Sequence, residues 1–169
     1  LRVGRRAAAK AVGLLGASAV PRGTRPVVLS EEAAAELSSV LVPAAGADAV
    51  DKRRSWLAGK IGARIAGPLV TLVDDGLCED GPEAFPFDDE GTPSCRTAVI
   101  REGVLERLIS NTYYGTKSGL GSSGNGIRPS LTMPPVVEST NWMLLPGKTS
   151  MDDLIGRVDD GLMIVEFLG

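Results

Sequence analysis

Apolar positions recur at helical spacing along the first third of the chain. Val3, Ala7, Ala11, Leu14 and Leu15 share one face of residues 2–16, with Arg2, Arg6 and Lys10 on another, which predicts an amphipathic helix. A rival reading of this stretch is a twin-arginine signal peptide, from Arg5-Arg6, a short apolar run and Ala17-Ser18-Ala19. Lys10 interrupts that apolar run and favours the helix. Pro26-Val27-Val28-Leu29 predicts a short strand. Ser30 then supplies an N-cap, Glu31 and Glu32 face the positive end of a helix dipole, and Ala33, Leu37, Val40 and Leu41 keep helical spacing until Pro43. Residues 44–52 read as a loop of small residues. A third helix is predicted over 53–66, with Leu57, Ile61 and Ile65 inward and Gly67-Pro68 as its stop.

The period then shortens. Residues 69–73 predict a strand closed by Asp74-Asp75-Gly76, and a loop dense in Asp, Glu, Gly and Pro follows over 76–95. Residues 96–109 predict a hairpin turning at Glu102-Gly103, and 110–130 a second loop rich in Gly, Ser, Asn and Thr. A strand over 141–145 ends at Pro146-Gly147. Ser150 and Asp153 resemble a capping box that opens a helix to about Asp160, with Gly161 at C′ and a last strand over 162–168. Three helices followed by mostly strands and one late helix predict an α+β domain with a largely antiparallel sheet, read as a single domain over residues 1–169.

Composition narrows the chemistry. None of the 169 residues is histidine, which excludes a Ser-His-Asp or Cys-His triad, a histidine zinc site and an imidazole base within this sequence. Aromatics are 4%, so the core is built from Val, Leu, Ile and Ala. Residues 1–29 carry six basic and no acidic side chains, whereas 30–169 carry 12 basic and 21 acidic. So acidic a body argues against direct nucleic-acid contact. No apolar run reaches the roughly 18 residues that span a bilayer. Cys78 and Cys95 fit no metal motif, lack a histidine to activate them, and read as free thiols in a reducing compartment. The start at Leu1 and the apolar end at Gly169 suggest a piece of a longer chain.

Gly119-Leu120-Gly121-Ser122-Ser123-Gly124 matches the dinucleotide fingerprint literally, but Asn125-Gly126-Ile127-Arg128-Pro129 opens no helix to receive a pyrophosphate. Asp88-Asp89-Glu90 clusters three carboxylates that could hold a divalent cation or act as general acid and base; the plainer expectation is a solvated turn whose carboxylates accept backbone N–H bonds. Asn125 and Arg128, in a flexible polar segment with Asn111-Thr112-Tyr113-Tyr114, could grip a peptide or anion. Lys52, Arg53, Arg54, Lys60 and Arg64 give the third predicted helix a basic face suited to the chain's own acidic loops.

In order, Ser55-Trp56-Leu57-Ala58-Gly59-Lys60-Ile61-Gly62, Pro68-Leu69-Val70-Thr71-Leu72-Val73-Asp74-Asp75 and Phe87-Asp88-Asp89-Glu90-Gly91-Thr92-Pro93 resemble the C-terminal region of the TldD/PmbA family, also called modulators of DNA gyrase. Arg96-Thr97, Gly103-Val104-Leu105, Ser123-Gly124-Asn125-Gly126-Ile127-Arg128 and Leu145-Pro146-Gly147 continue the resemblance. It implies a cytoplasmic heterodimeric zinc peptidase that degrades unfolded peptides and matures some peptide toxins. One subunit type of that family carries His-Glu-x-x-x-His on a helix plus a later cysteine. The comparable helix here is the second, where the chain reads Leu37-Ser38-Ser39-Val40-Leu41-Val42-Pro43, and the later cysteine would lie beyond Gly169. The resemblance therefore points to the PmbA/TldE-like branch: a subunit without zinc of its own, bound to a TldD-like catalytic partner and to unfolded peptide, with Asp88, Asp89, Glu90, Asn125 and Arg128 as peptide-binding or loop-ordering candidates, and with no nucleic acid or membrane contact. The alternative is a regulatory protein acting on gyrase or on toxin–antitoxin components.

Overall fold

A computed structural model describes residues 2–167. A four-stranded antiparallel sheet of order β4-β3-β2-β7 is built from β2 (Leu72–Asp75), β3 (Arg96–Arg101), β4 (Val104–Leu105) and β7 (Trp142–Leu144). β2 lies at its centre, buried at every position, with Val73 opposite Ala98 on one side and Met143 on the other. The β3–β4 turn at Glu102-Gly103 places both residues at positive φ, the conformation a tight hairpin turn requires.

α1 (Arg2–Gly13) is exposed over residues 3–13 and touches the rest through an Arg6–Glu32 ion pair. β1 (Val27–Leu29) pairs in parallel with β8 (Leu162–Ile164), a long-range contact that local hairpin reasoning does not reach. Ser30 caps α2 (Glu31–Ser39) as its Oγ accepts from the Ala33 amide, while its hydroxyl donates to Val165 O and ties the cap to β8. Residues 44–52, expected as a loop, instead carry the second half of α3 (Val42–Ala45) and all of α4 (Ala47–Asp51).

The helix expected over 53–66 is absent. Arg53, Gly59 and Gly62 sit at positive φ, which breaks any run of helical turns. The segment spends its backbone on β4 instead: Gly62 N–H donates to Leu105 O, Leu105 N–H to Ala63 O, and Ile65 N–H to Gly103 O. Of the three positions expected inward, Leu57 is buried and Ile65 packs against the core, whereas Ile61 is exposed. The second loop, 110–130, is interrupted by α5 (Thr112–Ser118), capped by Asn111 and closed by Gly119 in the left-handed region. β5 (Gly126–Ile127) and β6 (Val136–Val137) then form a small separate hairpin. α6 (Met151–Gly156) opens at the Ser150 cap as expected but stops short of Asp160, and Gly161 is not its cap. β8 ends at Ile164; Leu168, expected in that strand, lies outside the described residues.

The core gathers Leu57, Leu72, Val99, Ile100, Leu105, Leu108 and Ile109 with Ala45 and Ala47 of the short helices. Small side chains at Ala45 and Ala47 let α3 and α4 approach the 105–109 segment closely: Ala47 N–H donates to Ile109 O, and Ile109 N–H to Ala45 O.

Candidate functional site

The acidic triplet lies in a turn held by its own side chains. Asp88 is 3% exposed. Its Oδ1 accepts from the amides of Glu90 (3.0 Å) and Thr92 (2.8 Å), and its Oδ2 from Gly126 (2.9 Å). Asp89 Oδ2 accepts from the Arg128 amide at 2.7 Å, and Glu90 Oε2 from the Thr112 amide at 2.7 Å. Three adjacent carboxylates thus fasten one loop to β5 and to the first turn of α5. They accept backbone N–H bonds, but Asp88 does so buried rather than solvated. A carboxylate spent in this way has few lone pairs left for a cation or a substrate proton.

Asn125 belongs to a second, deeper network. It is 1% exposed, as is Asp74. Its Nδ2 donates to Asp74 Oδ2 at 2.6 Å and to Glu138 O at 2.9 Å, and its Oδ1 accepts from Ser123 Oγ at 2.6 Å. Ser123 Oγ in turn accepts from the Ser110 amide at 2.7 Å. Asp74 also accepts from the Thr140 amide (2.7 Å) and hydroxyl (3.1 Å). Burial pushes the Asp74 carboxyl above its ordinary value of 3.8, and these bonds oppose the rise.

Arg128 is spent locally: its guanidinium donates to Met133 O at 2.8 Å across its own hairpin. Four of the five basic residues of 52–64 are also occupied. Lys52 and Arg54 lie 2.9 and 3.7 Å from Asp48, Lys60 lies over the Trp56 ring, and Arg64 donates to Glu102 O. Asp74, Ser110, Ser123, Thr140 and Arg107 escaped the sequence reading. Arg107 Nη2 donates to Leu120 O and Ser122 O, shaping the loop before β5. A polar residue inside an apolar strand, such as Asp74 after Leu72-Val73, was the available signal.

The glycine motif is a device of turns. Gly119 ends α5, and Gly121 and Gly124 are at positive φ. The segment follows a helix and leads into a strand, the reverse of the dinucleotide arrangement. Cys78 and Cys95 are unpaired; Cys95 Sγ donates to Ser123 O.

A cleft of about 590 Å³ opens beside this network, lined among others by Val40, Val42, Pro43, Trp56, Val137 and Glu138. α2 ends at its mouth. On α2, Ser38 and Ser39 donate back to Ala35 O and Glu36 O. Glu32 pairs with Arg6, and Glu36 accepts from the Phe167 amide. That donor set does not fit zinc, and among the described residues no three His, Cys, Asp or Glu side chains converge as metal ligands.

Residues 22–169 match the family model of the PmbA/TldA metallopeptidase C-terminal domain. The chain belongs to the TldD/PmbA family. It is 34% identical over 160 residues to the metalloprotease TldD homolog of Haemophilus influenzae, covering 92% of this chain and 32% of that protein. A solved structure from Thermotoga maritima, described as a candidate modulator of a DNA gyrase, superposes with TM-score 0.91 at 33% identity, over 99% of this chain and 38% of its own. TldE from Thermococcus kodakarensis superposes at 0.73 and 28% identity, over 85% and 35%. The chain therefore spans about a third of the length of these relatives. Among the described residues no helix is long and apolar enough to cross a membrane.

Proposed function

We propose that the chain is part of a PmbA/TldE-like subunit that lacks its own zinc and works in the cytoplasm with a TldD-like catalytic partner on unfolded peptides. Similar proteins bear both TldD and TldE names, so the branch rests on residues rather than on names. The observation that carries it is the second helix. Where a catalytic relative is expected to hold His-Glu-x-x-x-His, α2 presents Ser38 and Ser39 with hydroxyls turned back to their own helix. No histidine exists elsewhere in the sequence to replace those ligands. The protein's part is then to order the loops around the cleft and to hold peptide and partner, while hydrolysis belongs to the other chain's zinc.

The test is to purify the full-length protein alone and with a TldD-like chain, and to measure bound zinc and cleavage of an unfolded peptide. Zinc and cleavage are expected only when both chains are present. Stoichiometric zinc together with cleavage in the lone chain refutes the reading.

A further inference from the structure

α1 is an amphipathic helix whose apolar side covers nothing among the described residues. Val3, Ala7 and Ala11 fall on one side of it, and Leu14 and Leu15 continue that side in the turn after Gly13. Val3, Leu14 and Leu15 are 83, 70 and 78% exposed. The Arg6–Glu32 ion pair joins the helix to α2. A pair between exposed groups contributes little to holding an element in place. A helix of 12 residues is also marginal in water by its own hydrogen bonds, and such helices are ordinarily held by packing of their apolar face. Yet the Thermotoga maritima structure superposes over α1 as well as over the domain, although most of that longer chain lies outside the match.

The occupant follows from where α1 stands in the family. The match to the C-terminal domain begins at residue 22, so α1 lies upstream of that domain. A second element close to it is also unfinished. β1 and β8 form a parallel ribbon of two strands, with Val27 and Met163 about half exposed. Parallel strands are normally covered on both faces. α2 ties the two elements together: Glu32 holds Arg6 of α1, and one turn further on Glu36 accepts from the Phe167 amide just past β8. A lipid surface fits less well. Interfacial helices bury Trp, Phe and Leu, whereas residues 1–29 hold no aromatic side chain and the middle of α1 offers alanine.

We propose that the apolar side of α1 is an internal domain interface: in the full-length protein it is covered by a segment of the same polypeptide upstream of the C-terminal domain. That segment packs on Val3, Ala7, Ala11 and Leu14 and leaves Arg5, on the opposite side of the helix, in water. Arg6 keeps its partner Glu32 at the edge of the contact. α2 then stands between the interface, at Glu32, and the cleft, at Val40. The proposal goes beyond the zinc-free subunit role and does not depend on it.

The experiment places one added cysteine in the full-length protein, purified without a partner, at Ala11→Cys or, on the opposite side, at Arg5→Cys. Maleimide labelling of each site is followed by peptide mass, which keeps Cys78 and Cys95 apart from it, and the urea-unfolded chain gives the reference rate. Ala11→Cys is expected to react at least about tenfold more slowly folded than unfolded, because the interface must open first. Arg5→Cys is expected to stay within about threefold of its unfolded rate. Ala7→Cys repeats the reading one turn away should Ala11→Cys fail to fold. Protection at Ala11→Cys that survives about hundredfold dilution supports the internal interface. Labelling at the unfolded rate overturns it, as does equal protection of both positions. Protection lost on dilution assigns the face to a second copy, and protection gained only with a TldD-like chain or anionic vesicles assigns it to a partner or a lipid surface; each of these overturns the proposal. None of the readouts involves zinc or cleavage, so this proposal and the subunit reading fail separately.

Discussion

The Asp74 carboxylate and the Asn125 amide meet at 2.6 Å in the interior, joining the central strand β2 to the loop that leads into β5. Both side chains are fully hydrogen-bonded, Asp74 through Thr140 and Asn125 through Ser123 and Glu138. A buried carboxylate is tolerated only with such a set of donors. The pair thus forces the 121–126 loop and the 138–141 segment to take one arrangement, which is also what positions β6 beside the cleft.

Asp74 gives the fold a pH signature. Burial raises its pKa in the folded chain above the ordinary 3.8, so the folded state holds this proton more tightly than the unfolded state. Its contribution to stability is then fullest below about pH 4 and is lost as pH rises through the raised folded value. The stability difference between wild type and Asp74→Asn, measured by urea unfolding at several pH values, should therefore move against wild type as pH rises through that window. A difference that is flat with pH contradicts the desolvated carboxylate.

Asp88→Ala removes three backbone partners at once, leaving the amides of Glu90, Thr92 and Gly126 without their acceptor. Leaving the buried Gly126 donor and the two part-buried donors unsatisfied costs about 3 kcal/mol in total, part being recovered where water enters. Asp89→Ala, which frees only the exposed Arg128 amide, should cost under about 1 kcal/mol. Chemical denaturation midpoints of the two variants test the order, and equal losses contradict it.

Two glycines separate crowding from backbone strain. A Cβ on Gly115 would stand 2.4 Å from Gly121 O, so Gly115→Ala must displace backbone and should cost about 2 kcal/mol or more. At Gly59 a Cβ meets nothing within 4 Å, but φ is +71, so Gly59→Ala should cost only about 1 kcal/mol of left-handed strain. Thermal unfolding of both variants reads the contrast directly.

Ser30→Ala removes the cap of α2 and the tie to Val165 O just past the end of β8. A lost N-cap costs about 1 kcal/mol. Because the same hydroxyl also joins β1 and α2 to the end of β8, amide exchange should quicken in β8 as well as in the first turn of α2. Exchange confined to α2 would leave the serine as a cap alone.

Much of the fold was legible from local rules. The β3 strand, the Glu102-Gly103 turn, and the Ser30 and Ser150 caps stand where alternation and capping chemistry put them, whereas β2 begins at Leu72 instead of Leu69 and takes in Asp74 and Asp75, which were expected to close it. α5 was missed although its own signals were present, Asn111 as cap and Gly119 as stop, because the glycine- and serine-rich surroundings masked them. The expected helix over 53–66 had convincing apolar spacing at Leu57, Ile61 and Ile65. Spacing cannot show that the neighbouring β4 edge competes for the same amides, and Gly59 and Gly62 let the backbone answer it.

The amino-acid sequence by itself determined the α+β class, the central strands, the missing imidazole and the family resemblance, since these depend on residue type and short-range order. It also drew attention to Asp88, Asp89, Glu90, Asn125 and Arg128. Only the tertiary structure decided what those residues do. It turned the acidic triplet onto backbone amides, joined Asn125 to Asp74 across 51 positions of chain, and placed Val137 and Glu138 in the lining of a cleft. The physical reason is that a buried polar group takes its meaning from the partner that satisfies it, and that partner is chosen by packing between segments far apart in the chain.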